Sequence, residues 1–239
     1  VPVMGNHEYG GYTEKEHKAK QRKPSVQWQP QFTLPQNRPA GLKETTYFFD
    51  YQGVRFVVLN SNEKLQEQAA WLDNVLKNNT QQWTVVTFHH PVFSGAYHGD
   101  NENLRTLWQP IFERHGVDLV LSGHEPTYSR GQARMGNQPQ GPVYVVSVSG
   151  GKMYGFKEKP WQEYNAQLQR KAENTQLFQV VNVSGQKMEF RTYTATGDLY
   201  DAFDLEKSPG ATTATLKDYT GTLPAERTHQ NTIAYKDKK

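Results

Sequence analysis

The chain contains no cysteine among its 239 residues, which excludes disulfide bonds, thiolate metal ligands and a cysteine nucleophile. It also contains no apolar run approaching the roughly 18 residues that a membrane-spanning helix needs. The formal net charge of +3 is small, so charge neither argues for nucleic-acid binding nor excludes an anionic substrate. The remaining composition, with 35% hydrophobic and 21% charged residues, predicts a soluble globular protein.

Three short apolar segments each run into a side chain that can bind a metal ion. The segments are residues 1–4, 83–88 and 117–121, and the side chains that follow them are Asn6, His89 and His124. Apolar segments with β-branched residues predict buried strands. Since ligands bind at the carboxyl ends of parallel strands in α/β folds, we expect these three side chains to converge at one edge of a sheet.

The motifs around these residues occur in a recognisable order. They are Gly-Asn-His-Glu at 5–8, His-x-Pro at 89–91 and Gly-His-x-x-x-Tyr-x-Arg at 123–130. This set resembles the calcineurin-like metallophosphoesterases, and among them the purple acid phosphatase branch. The resemblance covers about residues 1–206. It implies an α/β fold that forms part of a four-layer α/β/β/α sandwich, with the active site at the strand ends.

The sequence departs from the family pattern in two places. The family has an Asp-x-His motif and a Gly-Asp-x-x-Asp motif upstream of Gly-Asn-His, and both are missing before residue 5. The family also has a second histidine in Gly-His-x-His, where this chain has Pro126. Because Val1 is not an initiator residue, we expect the chain to be the C-terminal part of a longer protein that contains the missing strands.

The resemblance implies that Asn6, His89 and His124 hold one ion of a two-metal pair. Imidazole and amide oxygen ligands suit Fe, Zn or Mn, and the resemblance supports at most one such ion in this chain. His90 is expected to be a neighbour of the site and not a ligand, because the family ligand lies two residues before the proline. Arg130 is expected to form a structural salt bridge.

The resemblance also implies residues that contact the substrate. His7 would donate to a phosphate oxygen or to the leaving group. Tyr97 and His98 would lie over the substrate, and His98 is a candidate general acid because histidine titrates near neutral pH. Glu102 could orient His98.

The periodicity of the chain predicts its elements and domains. The predicted elements are a surface loop at 10–45, a hairpin at 47–59, helices at 65–76 and 104–112, a loop at 131–142, a strand at 143–148, a short helix near 161–168, a hairpin at 177–193 and a closing edge strand near 203–205. Residues 1–206 are predicted to form the metallophosphoesterase domain. Residues 207–239 are predicted to form an extended or poorly structured tail.

These inferences favour a metal-dependent phosphoesterase that acts on phosphate esters. The present chain is expected to be incomplete and, alone, weakly active or inactive. An extracytoplasmic location, periplasmic or secreted, is expected, with neither a nucleic-acid partner nor a membrane span. One alternative is a non-catalytic scaffold of the same fold that binds a ligand or a protein. Another is a structural accessory subunit of a larger assembly. The missing motifs and Pro126 favour the non-catalytic reading for this chain, whereas the retained motifs favour the enzyme for the longer protein.

Overall fold

The computed structural model describes residues 1–10, 23–96, 101–147 and 149–228. The strands of this part are β1 Tyr47–Tyr51, β2 Val54–Val58, β3 Trp83–Thr87, β4 Leu119–Ser122, β5 Tyr128–Met135, β6 Gln138–Pro139, β7 Val143–Val146, β8 Ala166–Ala172, β9 Leu177–Ser184, β10 Lys187–Thr194, β11 Leu199–Glu206 and β12 Thr215–Asp218. The helices are α1 Trp28–Gln31, α2 Leu65–Lys77, α3 Glu102–Leu107, α4 Gln109–Arg114 and α5 Lys159–Glu163. Single 3-10 turns lie at Asn6–Glu8 and Thr220–Thr222.

The first sheet has eight strands in the order β1-β2-β3-β4-β7-β5-β6, with β8 paired to β5. Strands β2, β3, β4 and β7 are parallel, and β1 and β5 flank them in antiparallel orientation. Helix α2 connects β2 to β3, and helices α3 and α4 connect β3 to β4. These crossovers place the carboxyl ends of the parallel strands at one edge of the sheet, where the histidine motifs follow.

The second sheet has four antiparallel strands in the order β12-β11-β10-β9. Two hydrophobic cores hold the layers together. Leu72 of α2 packs with Val86 of β3 in the core on the helix side, and the neighbouring Val85 packs with Phe190 in the core on the second-sheet side. Adjacent residues of β3 therefore face different cores, as strand geometry requires. The layers of helices, sheet and sheet confirm the predicted part of an α/β/β/α sandwich.

Several predicted elements are confirmed with small shifts in their bounds. The hairpin at 47–59 is β1 and β2, the helix at 65–76 is α2, and the hairpin at 177–193 is β9 and β10. Within the described ranges, no helix is both long enough and apolar enough to cross a membrane.

The N-terminal segment differs from its prediction. Residues 1–4 form no strand, since the structure pairs them with none of the strands described. Met4 packs instead with Tyr9 and Trp28 in a small separate cluster. Of the predicted surface loop at 10–45, residues 11–22 lie outside the described part. The remainder is anchored by the buried Trp28, whose indole N–H donates to the Glu44 carbonyl oxygen at 2.6 Å.

Two further predictions were wrong in the middle of the chain. The helix expected at 104–112 is broken at Trp108 into α3 and α4, because Pro110 has no N–H for a continuous helix and lies instead in the first turn of α4. The loop expected at 131–142 is mostly strand, because β5 continues to Met135 and pairs with β8. Strand β8 is too polar to have been recognised from periodicity, and it takes Leu168 out of the predicted short helix.

The C-terminal segment is more structured than predicted through residue 228. Strand β12 pairs with β11, so β11 is not the edge strand that was expected. The Lys207 ammonium group bonds to Asp118 Oδ2 at 2.8 Å beneath the parallel strands. Farther along, the carbonyl oxygen of Pro224 accepts from Arg170, and Glu226 accepts from the Lys171 amide. These contacts hold residues 207–228 against Asp118 and strand β8. The domain boundary at 206 remains a prediction.

Candidate metal centre

The candidate site is built at the carboxyl edge of the parallel strands. Backbone hydrogen bonds continue past the ends of β3 and β4. The Phe88 amide donates to the Leu121 carbonyl at 3.2 Å, and the Gly123 amide donates to the His89 carbonyl at 3.0 Å. The chain segments that carry His89 and His124 are thus held side by side, although the two residues are far apart in sequence.

Asn6 reaches the same point from the 3-10 turn at Asn6–Glu8. The Glu8 carboxylate accepts from the Gly5 amide at 2.7 Å and closes this turn. A Cβ atom on Gly5 would lie 2.7 Å from Glu8 Oε2 and 2.9 Å from the His89 ring. Glycine is therefore required at position 5, since only a residue without a side chain lets the turn approach His89 this closely.

The structure brings the three predicted ligand side chains together. The Asn6 Oδ1 atom lies 2.7 Å from His89 Nε2, and His89 Nε2 lies 3.0 Å from His124 Nδ1. The rings of His89 and His124 cross at 77° with centroids 4.9 Å apart. His124 has a φ angle of +69°, a left-handed conformation that is unusual for a residue other than glycine or asparagine. Such backbone strain is characteristic of functional sites.

His90 completes a cluster of three imidazoles. One ligand nitrogen each of His89, His90 and His124 lies within 4.8 Å of the others. The His90 ring centroid is 4.9 Å from that of His89 and 4.5 Å from that of His124. Ser61, which follows β2, fixes His90 twice: its hydroxyl lies 2.8 Å from His90 Nδ1 and accepts from the His90 amide at 3.0 Å.

His89 and His90 are electrically neutral at neutral pH. Burial lowers the pKa of His89 to about 3, and the neighbouring His90, His124 and His7 lower it further. Burial and His124 likewise lower the pKa of His90 to about 4, against a smaller opposing effect of Ser61. A neutral imidazole has a free lone pair, which is the form that coordinates metal ions.

Glu125 supports the site structurally, and the sequence analysis missed it. Its carboxylate is buried, accepts from the Gly95 amide at 2.8 Å and from the Ala96 amide at 3.1 Å, and receives the Ser94 hydroxyl. It therefore ties the loop that follows the His-x-Pro motif to the residue next to His124. The motif Gly-His-x-His leaves the residue at position 125 unspecified, so the sequence did not indicate a role for Glu125. The structure explains its hydrogen bonds, because a buried carboxylate needs donors.

Comparison with known proteins assigns this arrangement to a family. The family model for calcineurin-like phosphoesterases matches residues 1–128. The chain belongs to the calcineurin-like phosphoesterase family. Purple acid phosphatase 21 from Arabidopsis thaliana is 28% identical over 162 residues, which are 64% of this chain and 36% of that protein. The chain thus spans about a third of that relative's length.

Solved structures share the fold. The purple acid phosphatase PPD1 from yellow lupin seeds superposes with a TM-score of 0.64 at 17% identity, over 97% of this chain and 43% of the lupin chain. GAP50, the anchor in the inner membrane complex of Plasmodium, superposes with a TM-score of 0.52 at 14% identity, over 77% of this chain and 62% of that chain.

Membership of this family implies divalent metal ions, and the donor set fits one. Imidazole nitrogen and amide oxygen bond to zinc at about 2.0–2.2 Å, which in tetrahedral geometry separates neighbouring donors by roughly 3.3 Å. The separations of 2.7 and 3.0 Å found between the Asn6, His89 and His124 donors require only small outward movements. In the part of the chain that the structure describes, the cluster contains histidines and no carboxylate.

The other predicted site residues have different outcomes. His7 is exposed in the 3-10 turn and close enough to His89 to influence its charge. Tyr97 and His98 lie outside the described residues. Glu102 begins α3 and is exposed. Pro126 is buried, and its carbonyl oxygen accepts from the Tyr154 amide at 3.2 Å.

Proposed function

We propose that this chain belongs to a metal-dependent phosphoesterase, similar to purple acid phosphatases, that hydrolyses phosphate esters. The observation that carries the proposal is the convergence of Asn6 Oδ1, His89 Nε2 and His124 Nδ1 at one strand edge. Family membership supports the reaction class. Because the match covers about a third of the length of Purple acid phosphatase 21, the activity of the whole protein is part of the proposal.

Each residue has a role in this proposal. Asn6, His89 and His124 hold one ion, whose chemistry when bound is to polarise a phosphoryl oxygen and to acidify water. His7, exposed beside this point, donates a hydrogen bond to the phosphate, and His98 protonates the leaving group as the chain's general acid. Tyr97 contacts the substrate beside His98. Glu8 and Gly5 position the turn that carries Asn6 and His7.

The chain alone is proposed to be inactive or weakly active. All three proposed ligands are neutral, so they offset none of the charge of a divalent pair. The missing upstream carboxylates would supply that offset and set the separation of the two metals. Pro126 has no donor atom in its side chain, so the second metal lacks a ligand even in a longer protein.

The test is an assay of four proteins with an aryl phosphate in added Zn, Mn or Fe. They are the present chain, the protein extended upstream, its Pro126→His variant and its His89→Ala variant. The expected order of turnover is the extended Pro126→His variant first, the extended protein second, and background for the other two. Robust turnover by the present chain would mean that other residues complete the site.

A second candidate function is a non-catalytic scaffold that binds a ligand or a protein. Pro126 favours it, because the residue is buried and held by Tyr154, so the loop is adapted to a side chain that cannot coordinate. GAP50, a protein of the same fold, is described as an anchor. Turnover at background for both the extended protein and its Pro126→His variant, with folding and metal binding intact, would favour the scaffold. An extracytoplasmic location also remains a proposal, tested by fractionation of the native protein.

A further inference from the structure

His90 is placed as a ligand would be, although the family pattern assigns the metal role to His89. Its ring centroid lies 4.5 Å from that of His124, closer than the 4.9 Å between the rings of His89 and His124. A ligand nitrogen of His90 falls within the same 4.8 Å as those of the other two histidines.

We propose that His89, His90 and His124 form a three-imidazole metal site, with Asn6 as the fourth donor, which binds one divalent ion without any carboxylate. The inference rests on the metal-binding part of the proposed function and deepens it, because it names a ligand that the family pattern does not. It also gives this chain a metal site that is independent of the missing upstream motifs.

Ser61 prepares His90 for this role. The Ser61 hydroxyl oxygen already accepts from the His90 amide, and it lies 2.8 Å from His90 Nδ1. When Nδ1–H donates to this oxygen, Nε2 carries the lone pair and is available to a metal. Metal-binding histidines in proteins are held in this way by a hydrogen bond at the other ring nitrogen. Ser61 is thus a positioning residue, which acts through His90.

The donor set predicts which ions bind. Three imidazoles and one amide oxygen suit Zn²⁺, Cu²⁺, Ni²⁺ and Co²⁺, whereas Mn²⁺ and Mg²⁺ prefer sites rich in carboxylate oxygen. A set of four donors, three imidazole nitrogens and one amide oxygen, also favours tetrahedral geometry at zinc. The present chain should therefore select zinc or cobalt over manganese, a preference that an upstream carboxylate would weaken.

The test is metal binding by the full 239-residue chain after removal of metals with a chelator. Titration calorimetry with Zn²⁺ gives stoichiometry and affinity, and the visible absorption of bound Co²⁺ reports coordination geometry. The variants are His90→Ala, His90→Phe, which keeps a ring in place, Ser61→Ala and His89→Ala. His115→Ala is the matched control, because that histidine bonds to Asp73 and not to the cluster.

We expect one zinc ion per chain and a tetrahedral cobalt spectrum. Because His89 and His90 are proposed to coordinate the ion directly, zinc binding should weaken by more than about 100-fold in both His90 variants and in His89→Ala. Ser61→Ala should weaken it by about 10- to 100-fold. The His115→Ala variant should bind as the wild type does. Circular dichroism and thermal unfolding without metal establish that each variant is folded.

Two results would overturn the proposal. Zinc affinity and cobalt spectrum unchanged in folded His90→Phe, with binding lost in His89→Ala, would show His90 to be a neighbour only, while the proposed function would stand. No zinc binding by the wild-type chain would show that three imidazoles are insufficient. Failure of the proposed function is separate, since it would appear as absent hydrolysis in the extended protein whatever His90 does.

Discussion

Arg130 and Asp201 form a fully buried ion pair that joins the two sheets behind the candidate site. The Arg130 Nε atom lies 2.7 Å from Asp201 Oδ2, and neither side chain has any exposure to solvent. Arg130 also donates to Asp218 and Thr220 at distances of 2.8–3.1 Å. One guanidinium thus connects β5, which follows the His124 loop, to β11 and to the C-terminal segment. The expected structural role of Arg130 is confirmed.

Removing this guanidinium should be strongly destabilising. The Arg130→Met variant leaves the carboxylate of Asp201 buried without its cation, and the expected loss is about 3–5 kcal/mol in the free energy of unfolding. The measurement is urea denaturation. Arg114→Ala is the control, because its pair with Asp73 is exposed and should contribute far less to stability than the buried pair. A loss below 1 kcal/mol for Arg130→Met would contradict the structure's buried pair.

Deleting the C-terminal segment should also unfold or greatly weaken the protein. A chain ending at 206 loses β12, the Lys207 ammonium beneath the sheet and the Asp218 partner of Arg130. The expected loss is at least about 3 kcal/mol, since buried charges are left unpaired. A chain ending at 228 is the matched control and keeps every one of these contacts. Equal melting temperatures for the two truncations would show that residues 207–228 contribute nothing.

Asp118 should make folding stability depend on pH in a defined direction. Burial raises the pKa of this carboxyl to about 6, although Lys207 and the Thr84 amide act to lower it. The folded protein therefore binds this proton more tightly than the unfolded chain, whose carboxyl titrates near 3.8. The stabilising contribution is complete below the unfolded pKa and is lost as the pH rises through about 6.

The measurement for Asp118 is the melting temperature between pH 4 and pH 8, compared with that of Asp118→Asn. The difference between the two proteins should change across this range, with the wild type losing stability relative to the variant as the pH rises. A difference that changes in the opposite sense would show that Lys207 dominates and keeps the carboxyl ionised.

His89 and His124 could be predicted as candidate ligands from the sequence because each follows an apolar strand. The buried strands β3 and β4 were evident from their β-branched residues, and parallel strands bring their carboxyl ends together whatever the details of packing. Asn6 was also placed correctly, although residues 1–4 are not a strand. Its position depends on the Gly5–Glu8 turn. The Gly-Asn-His-Glu motif identified Asn6 as a ligand but did not predict that turn.

The sequence could not reveal elements whose stability comes from distant partners. Strand β8 has charged residues such as Arg170, which is buried because Tyr200 and Pro224 supply carbonyl acceptors from far along the chain. Strand β12 is similarly polar and forms because β11 offers an edge. Local periodicity records which face is apolar, but it does not record such long-range pairing.

Glu125 should control the loop between the two histidine motifs. In Glu125→Ala the Gly95 and Ala96 amides lose their acceptor, and their protection from hydrogen exchange should fall by more than about tenfold, as expected for loss of charged hydrogen bonds. Glu125→Gln keeps one acceptor oxygen and should show a smaller change. Ser61 and His90 lie outside these contacts, so the His90 amide is an internal reference. Unchanged protection at Gly95 would mean that other groups hold the loop.

The final prediction concerns Gly5, where a substitution should change the geometry of the metal site but not the stability of the fold. In Gly5→Ala the new Cβ would lie 2.9 Å from the His89 ring, closer than real Cβ contacts allow, so the ring or the turn must move. Because donors must converge to a few tenths of an ångström, we expect zinc affinity to fall by about 10- to 100-fold. The melting temperature should change little, because the backbone at Gly5 has an ordinary extended conformation that alanine adopts.

Gly155→Ala is the matched control, since a Cβ there meets nothing within 4 Å. Zinc titration and thermal unfolding of both variants provide the measurement, and wild-type affinity in Gly5→Ala would show that the turn has room to move without displacing Asn6 from His89.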